Sequence, residues 1–258
     1  MSKVLYSVEN HIAYVTINRP EVLNCFDYET LEQLADVVNQ IEMDQDVRVA
    51  IFTGAGEKAF SAGADLKERK TLSVKEVRRN VKAIRDVFNQ ISQLPQPTIA
   101  AVNGYAFGGG FELILACDFA IAVPEAKVGL TETSWAIIPG AGGTQRLPRL
   151  IGEMRAKELI FTAKKLTAQE AYDWGILTRV INDENVVEAS ISFAKEMLQN
   201  GPVALKQAKY AICNGMNVDL QTGLAIESKA YELTIPTEDR LEALTAFSEK
   251  RKPAFKGK

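Results

Sequence analysis

Three observations predict an α/β layered fold. Strand-like β-branched segments alternate with helical stripes in the order β-α-β-α-β-α-β. Glycine-rich turns sit where strands hand over to helices. From about Glu184 onward the pattern turns almost wholly helical.

Taken in order, residues 12–17 alternate as a strand and stop at Pro20. Asp27 is placed to cap a helix carrying Leu31, Leu34, Val38 and Ile41 on one stripe. Residues 47–52 form a second strand, ended by Gly54 and Gly56. The loop 59–65 leads into a charged segment from Leu66 to Lys70 and then a long helix bearing Val74, Val77, Val81, Ile84 and Ile91. Pro95 and Pro97 end it. Residues 98–102 are the third strand, and Gly108, Gly109 and Gly110 launch a helix from Phe111 to about Ala116. Short strands follow at 119–123 and 127–130, then an irregular loop from Trp135 to Gly143. A capping box from Thr167 to Glu170 starts a helix closed by Gly175, and 177–181 is the last strand.

Four helices fill the remainder, at 186–199, 202–213, 219–233 and 238–252. Leu220, Leu224, Ile226, Tyr231 and Leu233 make this tail more apolar than a solvated helix needs, so it is expected to bury a face in oligomerisation. The division expected is a core over 1–198 and a helical oligomerisation region over 199–258.

Composition narrows the function. The 258 residues are 47% apolar and 24% charged, ordinary for a globular protein. A net charge of −3 argues against a general nucleic-acid binder. There is no apolar run of membrane-spanning length, and the first residues resemble neither a signal nor a transit peptide, so a cytoplasmic protein is expected. The cysteines, Cys25, Cys117 and Cys213, have no metal-ligand spacing and are read as buried free thiols. His11 is the single histidine, which excludes multi-histidine metal sites and argues against a histidine triad. Dinucleotide, P-loop and nucleophile-elbow glycine patterns are all missing.

The chemistry concentrates in residues 103–112, Asn-Gly-Tyr-Ala-Phe-Gly-Gly-Gly-Phe-Glu, and in Glu132. Backbone N–H groups at a helix start suit an oxygen that gains negative charge. Two carboxylates brought beside it form a proton-transfer pair. Together these features imply chemistry through an enolate. Each has a plainer reading: a glycine turn for close packing, Glu112 as a dipole partner, Glu132 as a solvated loop acid. Glu125, after Pro124 in a turn, is read as surface.

Residues 60–66 (Phe-Ser-Ala-Gly-Ala-Asp-Leu), 99–113 and 138–147 (Ile-Pro-Gly-Ala-Gly-Gly-Thr-Gln-Arg-Leu) together resemble the crotonase (enoyl-CoA hydratase/isomerase) superfamily, across essentially the whole chain. The resemblance implies a crotonase-like spiral of ββα units with a helical C-terminal region, assembled as a trimer or dimer of trimers. It also implies an acyl-CoA thioester substrate and no metal or redox cofactor. On the matching positions, Ala64 and Gly109 correspond to the two oxyanion-hole amides, and Glu112 and Glu132 to the catalytic carboxylates of the hydratase branch. Ala62, Asp65, Leu66, Trp135, Phe247 and Lys250 fall at positions that contact CoA or substrate, with Asp65 also placed to cap the helix at Leu66. Lys67 and Arg69 are read as solvated.

The acid pair points to hydration of a 2-enoyl-CoA with a short or branched chain. Residues 132–140, 201–204, 222–227 and 235–241 look especially similar to the methylglutaconyl-CoA hydratase branch. An enoyl-CoA isomerase, or a non-catalytic acyl-CoA- or RNA-binding member, are the alternatives. The helix that is lysine-rich in RNA-binding relatives here has no lysine and carries Glu32, Asp36, Glu42, Asp44 and Asp46, so phosphate would be repelled. Phe107 and Trp135 are bulkier than the family pattern and would reshape the acyl pocket if they line it.

Overall fold

Strands that pass the chain to a second, shorter strand and then to a helix generate the architecture in the computed structural model, which describes residues 2–182 and 185–258. Strand β1 (Val4–Glu9) pairs antiparallel with β2 (Ile12–Ile17). Asn10 and His11 make the turn with left-handed φ of 51° and 66°, so His11 lies outside the strand. Helix α1 (Tyr28–Met43) starts where the Asp27 carboxylate accepts the Thr30 N–H at 2.8 Å.

Three ββα turns follow. The first is β3 (Val49–Gly54), β4 (Ala59–Ser61), α2 (Leu66–Thr71) and α3 (Val74–Gln93). The second is β5 (Thr98–Val102), β6 (Tyr105–Phe107) and α4 (Gly109–Ala116). The third is β7 (Phe119–Ala122), β8 (Lys127–Gly129), a 3-10 turn at Glu132–Trp135 and α5 (Gly143–Ile151). Then come α6 (Glu153–Phe161), β9 (Leu166–Thr167), α7 (Ala168–Asp173) and β10 (Arg179–Val180). The first strand of each turn joins a six-stranded sheet, β1-β2-β3-β5-β7-β10, and the second joins a four-stranded sheet, β4-β6-β8-β9. Within each sheet the three repeated strands run parallel. This is the spiral of ββα units.

Strand β5 is buried along its whole length, as its continuous apolar run requires of a strand covered on both faces. Phe52, Phe60, Phe88 and Phe111 are each less than 2% exposed and anchor the core. Helices α5 and α6 occupy a stretch with no helical expectation, because Pro148 inside α5 and Gly152 at its end interrupt the pattern. Strands β4 and β6 have three residues each, too few to show alternation.

The backbone divides into two compact units, one running to Leu94 and over Thr98–Ile191, the other holding Pro95–Pro97 and Ser192–Lys258. The boundary falls inside α8 (Val186–Met197), ahead of residue 198. The anticipated change of pattern near Glu184 lies outside the described residues. In the second unit, α9 (Pro202–Gly215) and α10 (Leu220–Glu232) approach at Gly215 and Gly223, where a Cβ on Gly223 would stand 3.3 Å from the Gly215 carbonyl oxygen. Asp239 of α11 (Glu238–Ser248) accepts the N–H groups of Lys256 and Gly257 at 2.7 and 2.8 Å, tying the C-terminal tail down. Cys213 is exposed on α9, contrary to the buried-thiol expectation, because it stands on a turn of that helix where Ile212 and Asn214 are exposed as well; Cys25 and Cys117 are half-buried.

The two layers meet most closely at Gly110, where a Cβ would fall 1.9 Å from the Ser61 carbonyl oxygen. Gly110→Ala is expected to cost about 3 kcal/mol of stability, as overpacking of a rigid main-chain contact does. Urea unfolding measures it, and a loss below 1 kcal/mol would show that β4 can yield.

Candidate active site

Strands β4, β6 and β8 are adjacent and parallel, so their C-terminal ends lie side by side. The segments leaving them carry Ala64, Gly109 and Glu132, and ligands gather at such strand ends in α/β sheets. A cavity of about 710 Å³ opens there, lined by Ala62, Ala64, Leu66, Gly109, Glu112, Glu132 and Trp135 among others.

Amide bookkeeping in the loop after β4 leaves one N–H over. Ala62 donates to Leu23 O at 2.9 Å, Gly63 to Ser61 Oγ at 3.2 Å, and Asp65 to Phe26 O at 2.9 Å. Ala64 N–H has no protein acceptor among the described residues. Phe26 donates back to Gly63 O at 2.8 Å and bridges Ala64, so the loop is pinned as a short parallel pairing. After β6 the Gly108 N–H donates to Gly129 O at 2.9 Å. Gly109 then opens α4, where an N–H has no intrahelical partner. A Cβ on Gly63 would come within 3.0 Å of the Gly109 nitrogen, so the two free amides belong to backbones in direct contact.

Glu112, in the first turn of α4, is 3% exposed. Its Oε1 accepts the N–H groups of Ala141 and Gly143, each at 2.8 Å. Arg146 fixes that loop by donating to Ala141 O at 2.9 Å and to Asn89 Oδ1 at 2.7 Å. Gly143 must lack a side chain, since a Cβ would meet Glu112 Oε1 at 3.0 Å and Pro139 at 2.9 Å. Glu132 enters from the 3-10 turn past Gly108, whose φ is 51° and whose missing Cβ would lie 3.2 Å from Glu132 Oε1. Glu132 Oε2 is buried and, among the described residues, has no hydrogen-bond partner. Two carboxylates and two unpaired amides therefore share one apolar-walled cavity.

Residues 7–258 match the enoyl-CoA hydratase/isomerase family. The chain belongs to that family. A solved structure of an enoyl-CoA hydratase from Bacillus anthracis is 50% identical with a TM-score of 0.98, covering 100% of both chains. The mitochondrial methylglutaconyl-CoA hydratase of Homo sapiens is 49% identical over 250 residues, 95% of this chain and 74% of that one. The short-chain-enoyl-CoA hydratase of Clostridium acetobutylicum is 43% identical over 252 residues, 98% of this chain and 97% of its own.

Among the site residues expected in this member of the enoyl-CoA hydratase/isomerase family, Asp65 does not line the cavity. Its Oδ1 caps α2 through Lys67 and Glu68 N–H at 3.0 and 3.2 Å, and its Oδ2 pairs with Arg19 at 3.0 Å. Phe107 does not line it either, since it stacks on Tyr105 at 5.7 Å and lies under Lys165. Trp135 does line it and is 63% exposed. Phe247, 86% exposed, and Lys250 belong to the C-terminal unit. The Ala141 and Gly143 amides and Arg146 escaped sequence reasoning; the run from Gly140 to Gly143 is the signal that pointed to their loop. Arg69, read as solvated, lines the cavity.

Burial raises the Glu112 pKa against the pull of the Gly143 and Ala141 amides and of Arg146. Glu132 is pushed up to about 7 by burial and then by the Glu112 charge, with Arg69 opposing. Two direct N–H donors favour the ionised form of Glu112, so the proton retained near neutrality sits on Glu132. Carbon-13-edited NMR should show Glu132 titrating near 7 and moving down, yet staying above 4.5, in Glu112→Gln, because burial remains when the charge goes. An unmoved midpoint would mean the two acids do not feel each other.

Proposed function

We propose that the protein adds water reversibly across the 2,3-double bond of a 2-enoyl-CoA with a short or branched acyl chain. The observation that supports this most is the buried, partnerless Glu132 Oε2 facing the same cavity as Glu112 and the free amides of Ala64 and Gly109. The thioester oxygen accepts both amide hydrogens, which draws electron density from the double bond and makes Cβ electrophilic. Water held between the acids attacks Cβ, and Glu112 takes its proton. Glu132 delivers its own proton to Cα as the enolate collapses. The pair holds one proton before and after, so the reverse reaction uses the same groups with roles exchanged.

Every group in this scheme comes from the chain or the substrate, so no metal or redox cofactor is invoked. Methylglutaconyl-CoA, named by one relative, is one candidate among branched substrates. Among the described residues no helix is long and apolar enough to cross a membrane.

Glu112→Gln and Glu132→Gln are each expected to lower crotonyl-CoA hydration by roughly 10²–10⁴-fold. Wild-type kcat/KM should fall about tenfold per pH unit above a midpoint near 7, as the pair loses its last proton, equally for hydration and dehydration. EDTA should change nothing. Hydration surviving both substitutions would refute the two-acid scheme, and 3-enoyl-CoA isomerisation outpacing hydration would favour the isomerase reading.

We also propose a homotrimer or a dimer of trimers. Ile212, Met216, Leu220 and Tyr231 of the C-terminal unit are 66%, 81%, 79% and 67% exposed, an apolar surface that a lone chain would leave in water. Light scattering should give three or six times 28.4 kDa, and a monomer would contradict it.

A further inference from the structure

Two consecutive residues that are not glycine, Leu23 and Asn24, hold left-handed backbone with φ of 55° each. Such conformations cost free energy and persist where the surroundings over-determine them, often beside a functional site. They lie in the segment between β2 and α1, which opens at Arg19 and closes at Asp27. The Asn24 N–H donates to Arg19 O at 2.8 Å, and the Arg19 N–H donates to Asn24 Oδ1 at 3.0 Å. Asn24 is 1% exposed, and its Nδ2 donates to Ala59 O at 2.7 Å.

The same segment runs along the loop that carries Ala64. Asn24 O accepts the Ser61 hydroxyl at 2.8 Å, Leu23 O accepts the Ala62 N–H at 2.9 Å, and Phe26 bonds both Gly63 O and the Asp65 N–H. The Arg19 guanidinium closes the arrangement. It donates to Cys25 O at 2.6 Å and lies 3.0 Å from Asp65 Oδ2 and 3.2 Å from Asp27 Oδ2, with its side chain 12% exposed. Each of those carboxylates caps a helix with its other oxygen, Asp27 on α1 and Asp65 on α2. One guanidinium therefore joins two helix starts on either side of the Phe26–Ala64 bridge. Ala62, Gly63 and Asp65 all give their N–H groups to the protein, while the amide left over, that of Ala64, belongs to a residue lining the cavity.

We propose that Arg19 is a positioning residue for the reaction: by holding Asp65 and Cys25 O it fixes the direction of the Ala64 N–H, and with it the polarisation of the thioester. This rests on the reading that the Ala64 and Gly109 amides receive the thioester oxygen. Arg19 itself does not line the cavity and acts only through the loop. Lysine can satisfy one carboxylate as a point charge, but it lacks the planar fork that spans both acids and the Cys25 carbonyl.

The test uses butyryl-CoA labelled with carbon-13 at the thioester carbonyl, which has no double bond to hydrate, and reads the carbonyl stretch by isotope-edited infrared spectroscopy. Bound to the wild type, the stretch should fall below its value in water, because two aligned N–H donors draw charge onto the oxygen. Arg19→Gln should lose a large part of that shift. Its kcat for crotonyl-CoA should fall by roughly 10–100-fold, the cost of a small misplacement, while KM moves far less. Arg19→Lys should regain part of both. Asp65→Asn keeps an oxygen for the α2 cap and turns a donor toward Arg19, so it should behave as Arg19→Gln does, and it carries the test if Arg19→Gln does not fold. A lowered melting temperature with carbonyl shift and kcat intact would overturn the proposal and assign Arg19 to the fold alone. A wild-type stretch unmoved on binding would overturn it too. A shift that is present in the wild type and lost in Arg19→Gln, without any hydration of crotonyl-CoA by the wild type, would sustain the positioning role and sink the hydratase reading, so the two failures are distinguishable.

Discussion

Contact of main chain with main chain, permitted by absent side chains, is the constraint on which the site depends. Gly110 sets α4 against the Ser61 carbonyl, and Gly63 lies against Phe107 and Gly109. With side chains there, β4 and β6 could not bring the Ala64 and Gly109 amides together, and Glu112 would leave the cavity. The glycines thus serve geometry before chemistry. The conformational entropy they cost on folding is offset by the buried strands and aromatic core behind them.

The electrostatics follow from that geometry. Glu112 is nearly sealed from water, yet two amides and the nearby Arg146 stabilise its charge. Glu132 has no such donors on its buried oxygen and faces an ionised neighbour, so it holds a proton at a pH where an ordinary glutamate would not. One fold thereby makes two identical side chains differ, the condition for acid and base work at neutrality.

Much of this was legible in the residues. Repeated strands, the caps at Asp27, Asp65 and Thr167, and the glycine turn before Glu112 are local signals, and local rules govern them. What escaped reading was set by distance in the fold. Nothing local says that the amides of Ala141 and Gly143 will turn toward a residue about thirty positions earlier, or that Arg146 will hold them there. Arg69 looked solvated because its helix is charged throughout, and only the folded arrangement shows one of its cations facing an apolar wall. The condition set on Phe107 and Trp135 likewise needed the fold to resolve: Trp135 lines the cavity, whereas the Phe107 ring points away from it toward Tyr105 and Lys165.

The loop that follows Glu132 lines the cavity with exposed apolar side chains. Trp135, Ile137 and Ile138 are 63%, 42% and 70% exposed on one loop, beside a cavity that they line. Scattered apolar residues on a surface need no explanation, but a contiguous group at the mouth of a cavity does. Left in water, such a group is a cost without return in stability. Covered by an acyl chain, it excludes solvent from the two acids and strengthens the electrostatics between them and the thioester. Selectivity for the acyl group would then begin with that broad apolar face, which rewards carbon. An acyl chain must reach that face while its thioester stays on the free amides, so the spacing between those points, more than the cavity's volume, would set the length of substrate accepted.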